Sequence, residues 1–484
     1  MDYRKQLDEA LAMANDTKVF EFGNDVLGLA PKLFRENFGD KPALVVADKN
    51  TWRAAGKVVT DFIKDAGIKC DTYIFEEDEF HAEFEFVDRV DKILDASDAI
   101  PVAVGSGVLN DLCKLAAFHH ERPYMVVATA ASVDGFASSG AVVTKEGAKI
   151  NIETHAPKVI LADNKVLAAA PKEMTAAGYG DLAAKVTSGA EWMIADMFGT
   201  EPIIPVAWNL VNDSLNSILA ENERIAAGDP EAVGDLFVGL TLTGLAMQIA
   251  HTSRPASCSE HLYSHYLDMT EYRYKGKFQS HGFQCAMGTV IMSACFDEFL
   301  KMDLSKLDVD ACVAAWPTLE QEQKRALDLF KDFPVPQLGY TEITKKYNDA
   351  ETVRKQLQTV KDNWPDLKER IQNQVYTYDK MVALMKSVGA PVGPESISFR
   401  KDGQWKEFVT VNADASGAEA SPARKDVRIK KNGRVSIIRF EENYADAVRI
   451  DVLEHRKTTA PDGIYKSGST VGISEIGVYR ERRN

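Results

Sequence analysis

The chain has 484 residues, 45% of them hydrophobic, and a formal charge of −15 at neutral pH. That length has room for two or three domains, and the acidic balance excludes nonspecific nucleic-acid binding, which rests on Lys and Arg neutralising phosphates. The six cysteines, Cys70, Cys113, Cys258, Cys285, Cys295 and Cys312, include no C-x-x-C spacing, and such a count in a long chain does not suggest a disulfide framework; it fits buried small hydrophobes in a reducing cytoplasm.

The first twenty residues, MDYRKQLDEALAMANDTKVF, mix charges through an amphipathic helical pattern and lack the continuous apolar core of a secretory signal. The runs ALVVAD (Ala43 to Asp48), TYIF (Thr72 to Phe75), AIPVAV (Ala99 to Val104), YMVVAT (Tyr124 to Thr129) and KVILAD (Lys158 to Asp163) follow. They are nearly continuous in apolar residues, the pattern of strands buried on both faces of a parallel sheet. Helix-like segments such as Trp52 to Ala66 and Phe86 to Leu94 lie between them. This alternation predicts an α/β, Rossmann-like nucleotide-binding domain over residues 1–168, with the ligand at the carboxyl ends of the strands.

From about Pro171 the periodicity turns helical, over Asp181 to Met197, Val206 to Glu223, Glu231 to His251 and Gly282 to Leu300. An all-helical second domain over residues 169–390 is predicted. Its most membrane-like window, Ala232 to Ala250, carries Asp235, Gln248 and three glycines and reads as a buried core helix, so no membrane span is expected. Residues 391–484 contain the β-alternating segments EFVTVNA, DVRIKK, RVSIIRF, AVRIDVL and ISEIGVY, which predict a small β-sandwich-like extension.

Five stretches carry chemistry. Asp48, at the end of the first strong strand, is placed to accept bonds from an adenosine ribose, or equally to start a loop. GSGVLND (Gly105 to Asp111) lies between a predicted strand and a helix. Bare backbone and helix N-terminal N–H groups there suit a pyrophosphate, although the same turn serves a tight connection. TAASVDGFASS (Thr129 to Ser139) offers hydroxyls and one carboxylate at another strand end. GYGDLAAK (Gly178 to Lys185) offers Asp181 at a predicted helix start, as an anionic ligand or a helix cap. In SRPASCSEHLYSHYLDM (Ser253 to Met269), His261 and His265 stand one helical turn apart, and His281 follows a short hairpin later. Neutral imidazoles with an anionic partner suit a divalent metal with an open position. Arg254 is a candidate for a phosphate or, equally simply, one half of a surface ion pair.

In their order, GSGVLND, TAASVDG, APKVILAD, AAGYGDLAAK and SRPASCSEHLYSH…HG make the chain resemble the glycerol-1-phosphate dehydrogenases of the iron-containing alcohol dehydrogenase and dehydroquinate synthase-like superfamily, with a GSG form like the bacterial branch. The resemblance spans roughly the first 390 residues. It implies a cytoplasmic, homodimeric enzyme of phospholipid metabolism that interconverts dihydroxyacetone phosphate and sn-glycerol 1-phosphate with NAD or NADP and a divalent metal. The metal implied is zinc or nickel, with iron less favoured. By the same matching, Asp181, His261 and His281 bind the metal, and Gly105, Ser106, Gly107, Val108 and Leu109 lie along the pyrophosphate. Thr129, Ala130, Ala131, Ser132 and Ser138 contact the nicotinamide end, and Asp134, Asp181 and His265 touch substrate, with His265 and Asp181 in catalytic roles. Asp48 leans toward NAD by repelling a 2′-phosphate. Cys258 stands where the family pattern has Gly.

Other readings stand beside this one. The same scaffold could act on another sugar alcohol or sugar-alcohol phosphate. A dehydroquinate synthase-type reaction would demand more Lys and Arg near the motifs. A non-catalytic sugar-binding protein would have no chemical need for Asp181, His261, His265 and His281. The ending AVRIDVLEH…VGISEIGVYRERRN resembles the last strands of discoidin-like carbohydrate-binding domains, which implies possible glycan contact; a packing or dimerisation appendage is the simpler expectation. No nucleic-acid or membrane partner is expected.

Overall fold

Alternate residues of the central strands enter different hydrophobic cores, which is why these runs are apolar without a break. In the computed structural model, which describes residues 3–410 and 447–450 apart from 78–79, 146–147, 271, 275–276, 332–335, 394–395 and 402–403, Leu44 and Val46 pack on one side of the sheet. Val45 and Ala47 pack on the other. Ala103 against Val102 and Val104, and Ile160 against Val159 and Leu161, divide in the same way. Successive side chains of a strand point to opposite faces, so covering both faces requires an apolar residue at every position.

The sheet has six parallel strands: β1 (Val19–Gly23), β2 (Ala43–Asp48), β3 (Cys70–Phe75), β4 (Ile100–Gly105), β5 (Met125–Ala128) and β8 (Val159–Asp163). Their order is β1-β8-β5-β4-β2-β3. The hairpin β6 (Gly140–Lys145) and β7 (Ala148–Glu153) forms a separate antiparallel pair. Helices α1 (Tyr3–Met13), α2 (Ala30–Phe38), α3 (Lys57–Asp65), α4 (Phe84–Asp95) and α5 (Gly107–His119) belong to this half. From β2 the chain steps outward to β3, then returns to the other side of β2 as β4. The carboxyl ends of β2 and β4 therefore flank the point where the strand order reverses, the usual crevice for a nucleotide in an open α/β sheet.

All five expected strands are present to within two residues at either end. Two features depart from expectation. Val19 and Phe20, read as the tail of an amphipathic helix, open β1, which pairs with β8 from Val19↔Val159 to Gly23↔Asp163. The hairpin β6–β7 was also not anticipated. Both are edge or peripheral pairs whose alternation is partly polar, as in VFEFG, so no continuous apolar run marks them.

Among the described residues, no strand of the main sheet follows Asp163. The helices of the second half include α6 (Lys172–Met197), α7 (Pro205–Ala220), α8 (Pro230–Ala250), α9 (Ser259–Met269), α10 (His281–Phe299), α11 (Ala350–Gln374) and α12 (Tyr378–Val388). A two-residue hairpin, Arg273–Tyr274 with Lys277–Phe278, connects α9 to α10. Among the described residues, α8 is the one helix long and apolar enough to span a membrane, and 83% of its apolar window is buried inside the fold. Gln248 near its end ties the two halves together. It accepts from the backbone N–H of Asp16 and donates to Thr17 Oγ1 and to the Ala137 carbonyl.

Asp181 lies in the interior of α6, nine residues past its start, rather than at the helix start expected from GYGDLAAK. Pro171 holds the N-cap position, and the small residues of TAAGYG continue the helix through two glycines. Those glycines are required by close approach. A Cβ on Gly178 would stand 2.0 Å from the Ala131 carbonyl oxygen, and one on Gly282 would stand 2.1 Å from that of Ala177. Backbone therefore meets backbone where α6 touches both the loop after β5 and the start of α10.

Beyond residue 390, Ser396–Lys401 pairs antiparallel with Gln404–Thr410 and with Ala447–Ile450. The rest of the expected β-sandwich, including the discoidin-like ending and its expected glycan contact, lies outside the described residues.

The contact at Gly178 predicts that Gly178→Ala costs about 1–3 kcal/mol of stability by overpacking. Gly28→Ala, with nothing within 4 Å of the added Cβ, should shift stability by less than about 0.5 kcal/mol. Thermal unfolding of the two variants compares them directly.

Candidate metal and cofactor site

One polar cluster joins the two halves, at the place where α6, α9, α10 and the loop after β5 meet. Asp181 is fully buried, and each of its oxygens is engaged. Oδ2 accepts the Asp134 backbone N–H at 2.9 Å, and Oδ1 lies 3.0 Å from Lys185 Nζ and 3.6 Å from His261 Nε2. Lys185, one turn further along α6, also lies 2.7 Å from Asp134 Oδ2. Burial opposes the Lys185 charge, but the two carboxylates outweigh it and hold the ammonium above the ordinary lysine range. Burial likewise favours a neutral Asp181; Lys185 and His261 overcome it and keep that carboxyl well below its usual range. Asp134 goes the other way, pushed up by burial and by the Asp181 charge.

The tautomers of both imidazoles follow from their other neighbours. Glu260 is buried, and its Oε1 accepts the Cys258 backbone N–H at 2.8 Å and the His261 Nδ1–H at 2.9 Å. A carboxylate can only accept, so one His261 proton sits on Nδ1. Nε2 faces Asp181, whose charge, against the opposing effect of burial, holds a second proton there well above the ordinary histidine range until a cation takes that proton's place and uses the Nε2 lone pair. For His281 the chain is longer. Gln284 Nε2 donates to Asp268 Oδ1, and its Oε1 accepts from Ser264 Oγ at 2.6 Å. Having spent its proton, the Ser264 hydroxyl accepts from His281 Nδ1 at 3.1 Å. His281 Nε2 is thereby left as a lone pair, 3.5 Å from Cys285 Sγ.

Ligand atoms from Asp181, His261, His281 and Cys285 all lie within 4.8 Å of one another. Two imidazole lone pairs, a carboxylate oxygen and a sulfur facing one point repel one another unless a proton or cation lies between them. The donor set fits a divalent transition metal such as zinc, nickel or iron. Each imidazole has the outer hydrogen-bond partner that metal-binding histidines ordinarily use to fix their orientation.

A profile of the iron-containing alcohol dehydrogenases matches residues 21–171. The chain is 33% identical over 283 residues to the glycerol-1-phosphate dehydrogenase (NAD(P)+) of Halalkalibacterium halodurans, covering 57% of this chain and 70% of that one. It is 37% identical over 252 residues to the enzyme of the same name from Methanosarcina mazei, covering 52% and 68%. The chain belongs to the glycerol-1-phosphate dehydrogenase family. It is thus an oxidoreductase, and its fold is that of the iron-containing alcohol dehydrogenase superfamily. The crystal structure of glycerol dehydrogenase from Schizosaccharomyces pombe superposes on it with a TM-score of 0.50 at 17% identity, over 75% of this chain and 93% of that one.

Against the family pattern, Asp181, His261, His281 and Asp134 come together, whereas other expected residues lie elsewhere. His265 is exposed one turn beyond His261 and is not among the converging ligand atoms. Arg254, expected to meet a phosphate, is engaged within the fold. Its Nε pairs with Glu201 at 2.7 Å, Nη2 donates to the Glu191 carbonyl at 3.2 Å and Nη1 donates to Cys258 Sγ. The ion-pair alternative for Arg254 is realised with Glu201, and two of the five guanidinium N–H groups donate hydrogen bonds within the fold. Cys258, where the family pattern has Gly, precedes α9 with φ −147° and ψ −135°.

On the nucleotide side, Gly105 ends β4, Ser106 precedes α5, and Gly107 and Val108 open that helix. The Leu109 side chain is buried against Gly105, where a Cβ would stand 2.3 Å from it, so only its backbone is available to a ligand. Asp48 caps the helical turn after β2, its Oδ1 accepting from the N–H groups of Asn50 and Thr51. It has the capping role as well as a place at the crevice. Thr129, Ala130, Ala131 and Ser132 form the buried loop after β5. Ser138 Oγ is turned toward the Gly135 carbonyl and Lys114.

Sequence reading missed Lys185, Glu260, Ser264, Gln284 and Cys285. Spacing offered a signal for two of them: Lys185 follows Asp181, and Cys285 follows His281, by one helical turn.

Removing the Lys185 ammonium leaves two buried carboxyl groups without their counter-charge. Lys185→Met should therefore cost about 3–5 kcal/mol in thermal unfolding. Nearby, burial pushes the Glu191 carboxyl up to about 7, with Glu260 adding to the effect. The folded state thus binds a proton there more tightly than the unfolded chain, and stability falls as pH rises from about 4.5 toward 7. Glu191→Gln should stabilise the protein at pH 8 by an amount on the order of 2 kcal/mol and leave it nearly unchanged at pH 4; melting curves at both pH values measure the difference.

Proposed function

We propose that this chain interconverts dihydroxyacetone phosphate and sn-glycerol 1-phosphate by hydride transfer, using NAD or NADP and a divalent metal held by Asp181, His261 and His281. The observation that carries the reading is the convergence of one carboxylate and two imidazoles with their lone pairs directed to one point, in a chain whose relatives bear that enzyme's name.

When bound, the metal supplies Lewis acidity and the nicotinamide nucleotide supplies or accepts the hydride. The chain's own residues divide the remaining work. The turn Gly105–Ser106–Gly107 and the backbone of Val108 and Leu109 meet the pyrophosphate at the N-terminus of α5, where free N–H groups favour negative charge. The loop Thr129 to Ser132, with Ser138, bounds the nicotinamide end, and Asp48 faces the ribose side of the crevice. Lys185 keeps Asp181 ionised and ready as a ligand. Asp134, the carboxyl of the cluster that most readily takes a proton, holds or passes a proton at a substrate hydroxyl. His265, at the exposed rim, contacts the outer part of the substrate.

A second reading, a dehydrogenase of an unphosphorylated polyol, is favoured by one observation: the guanidinium of Arg254 is committed to Glu201, Cys258 and the Glu191 carbonyl. Loss of NAD(P)H absorbance distinguishes the two. With zinc or nickel present, the first reading expects oxidation of NAD(P)H driven by dihydroxyacetone phosphate and absent with unphosphorylated dihydroxyacetone; the reverse pattern establishes the second. In either case His261→Ala and His281→Ala should lower kcat/KM by about 1,000-fold or more, equivalent to about 4 kcal/mol.

A further inference from the structure

Cys285 lies on α10 one turn after His281, fully buried, and its sulfur does not sit among apolar side chains alone. Sγ lies beside the His281 ring, 3.5 Å from Nε2, the nitrogen that the Ser264–Gln284–Asp268 chain leaves as a lone pair, and 3.9 Å from Nδ1. It also lies within 4.8 Å of the ligand atoms of Asp181 and His261. We propose that Cys285 is a fourth protein ligand of the metal, bound as a thiolate; this rests on the metal-site reading above.

The alternative is a buried thiol that fills space and donates a weak S–H bond to His281. Geometry favours ligation. Residues i and i+4 of a helix share one face, so Cys285 and His281 present their donors to the same point from consecutive turns. In a tetrahedral site with metal–ligand distances of about 2.0–2.3 Å, the ligand atoms stand about 3.3–3.8 Å apart. The observed separations, 4.8 Å at most, exceed that by about 1 Å. The four donors come from three helices: the backbone of α10 meets that of α6 at Gly282 and that of α9 at Gly288. As the sulfur–metal bond forms, the thiol proton passes to solvent and no electrons are transferred. A thiolate is a soft ligand, so the set Asp-His-His-Cys selects zinc over magnesium or manganese more strongly than Asp-His-His alone.

The full chain, stripped of metal and reloaded separately with Zn²⁺ and Co²⁺, tests this. Zinc X-ray absorption should show one sulfur neighbour at about 2.3 Å, and the cobalt protein a near-ultraviolet thiolate-to-metal charge-transfer band. Cys285→Val should lose both signals while still binding one metal per chain, at least about tenfold more weakly. If the valine variant folds poorly, Cys285→Ser removes the sulfur with a smaller change of shape. One bound metal with only nitrogen and oxygen neighbours, or a sulfur signal that survives both substitutions, overturns the cysteine ligand and leaves the Asp-His-His site standing. A wild-type chain that takes up no metal overturns both.

Discussion

The ammonium of Lys185, held between Asp134 and Asp181 without access to water, is the constraint on which the rest of the site depends. Taking three charged groups out of water is expensive, and their mutual attraction repays it only when every partner is in place. The cluster therefore tolerates little displacement. Asp134 belongs to the loop after β5, while Asp181 and Lys185 belong to α6, so the same interaction joins the nucleotide half to the helical half. The bond from the Asp134 N–H to Asp181 Oδ2 repeats that connection. Gly178, pressed against the Ala131 carbonyl, lets the two backbones come close enough for it to form.

Around that fixed carboxylate, two hydrogen-bond chains aim the imidazoles. Glu260 directs His261 from the preceding residue of the same helix. Ser264, Gln284 and Asp268 direct His281 through partners on both α9 and α10. Neither ring is free to turn its protonated nitrogen toward the pocket without breaking a buried bond. A site prepared in this way needs only a short contraction when a cation arrives, with no ring turned over, which is the physical basis for reading it as functional rather than as a satisfied core cluster.

Much of this was legible in the residues. Strands buried on both faces must be apolar throughout, so ALVVAD, AIPVAV, YMVVAT and KVILAD identified the central sheet, and the helical periodicity after Pro171 identified the second half. The edge strand β1 and the hairpin β6–β7 were not legible, because half of an edge strand's side chains face polar surroundings and resemble a loop or a helix end. The donors Asp181, His261 and His281 could be picked out by residue type and order, since few residues bind transition metals and spacing along a helix shows which share a face.

The tertiary structure decided what each polar residue is occupied with. Arg254 and Asp48 have sequence contexts suited to ligand contact, and packing adds an ion pair with Glu201 for Arg254 and a helix cap for Asp48. Lys185, Glu260 and Cys285 looked ordinary until folding brought them beside the metal-binding donors. A hydrogen bond depends on fractions of an ångström between residues distant in the chain. Periodicity and composition can specify which face a residue occupies, but only packing determines what it meets there.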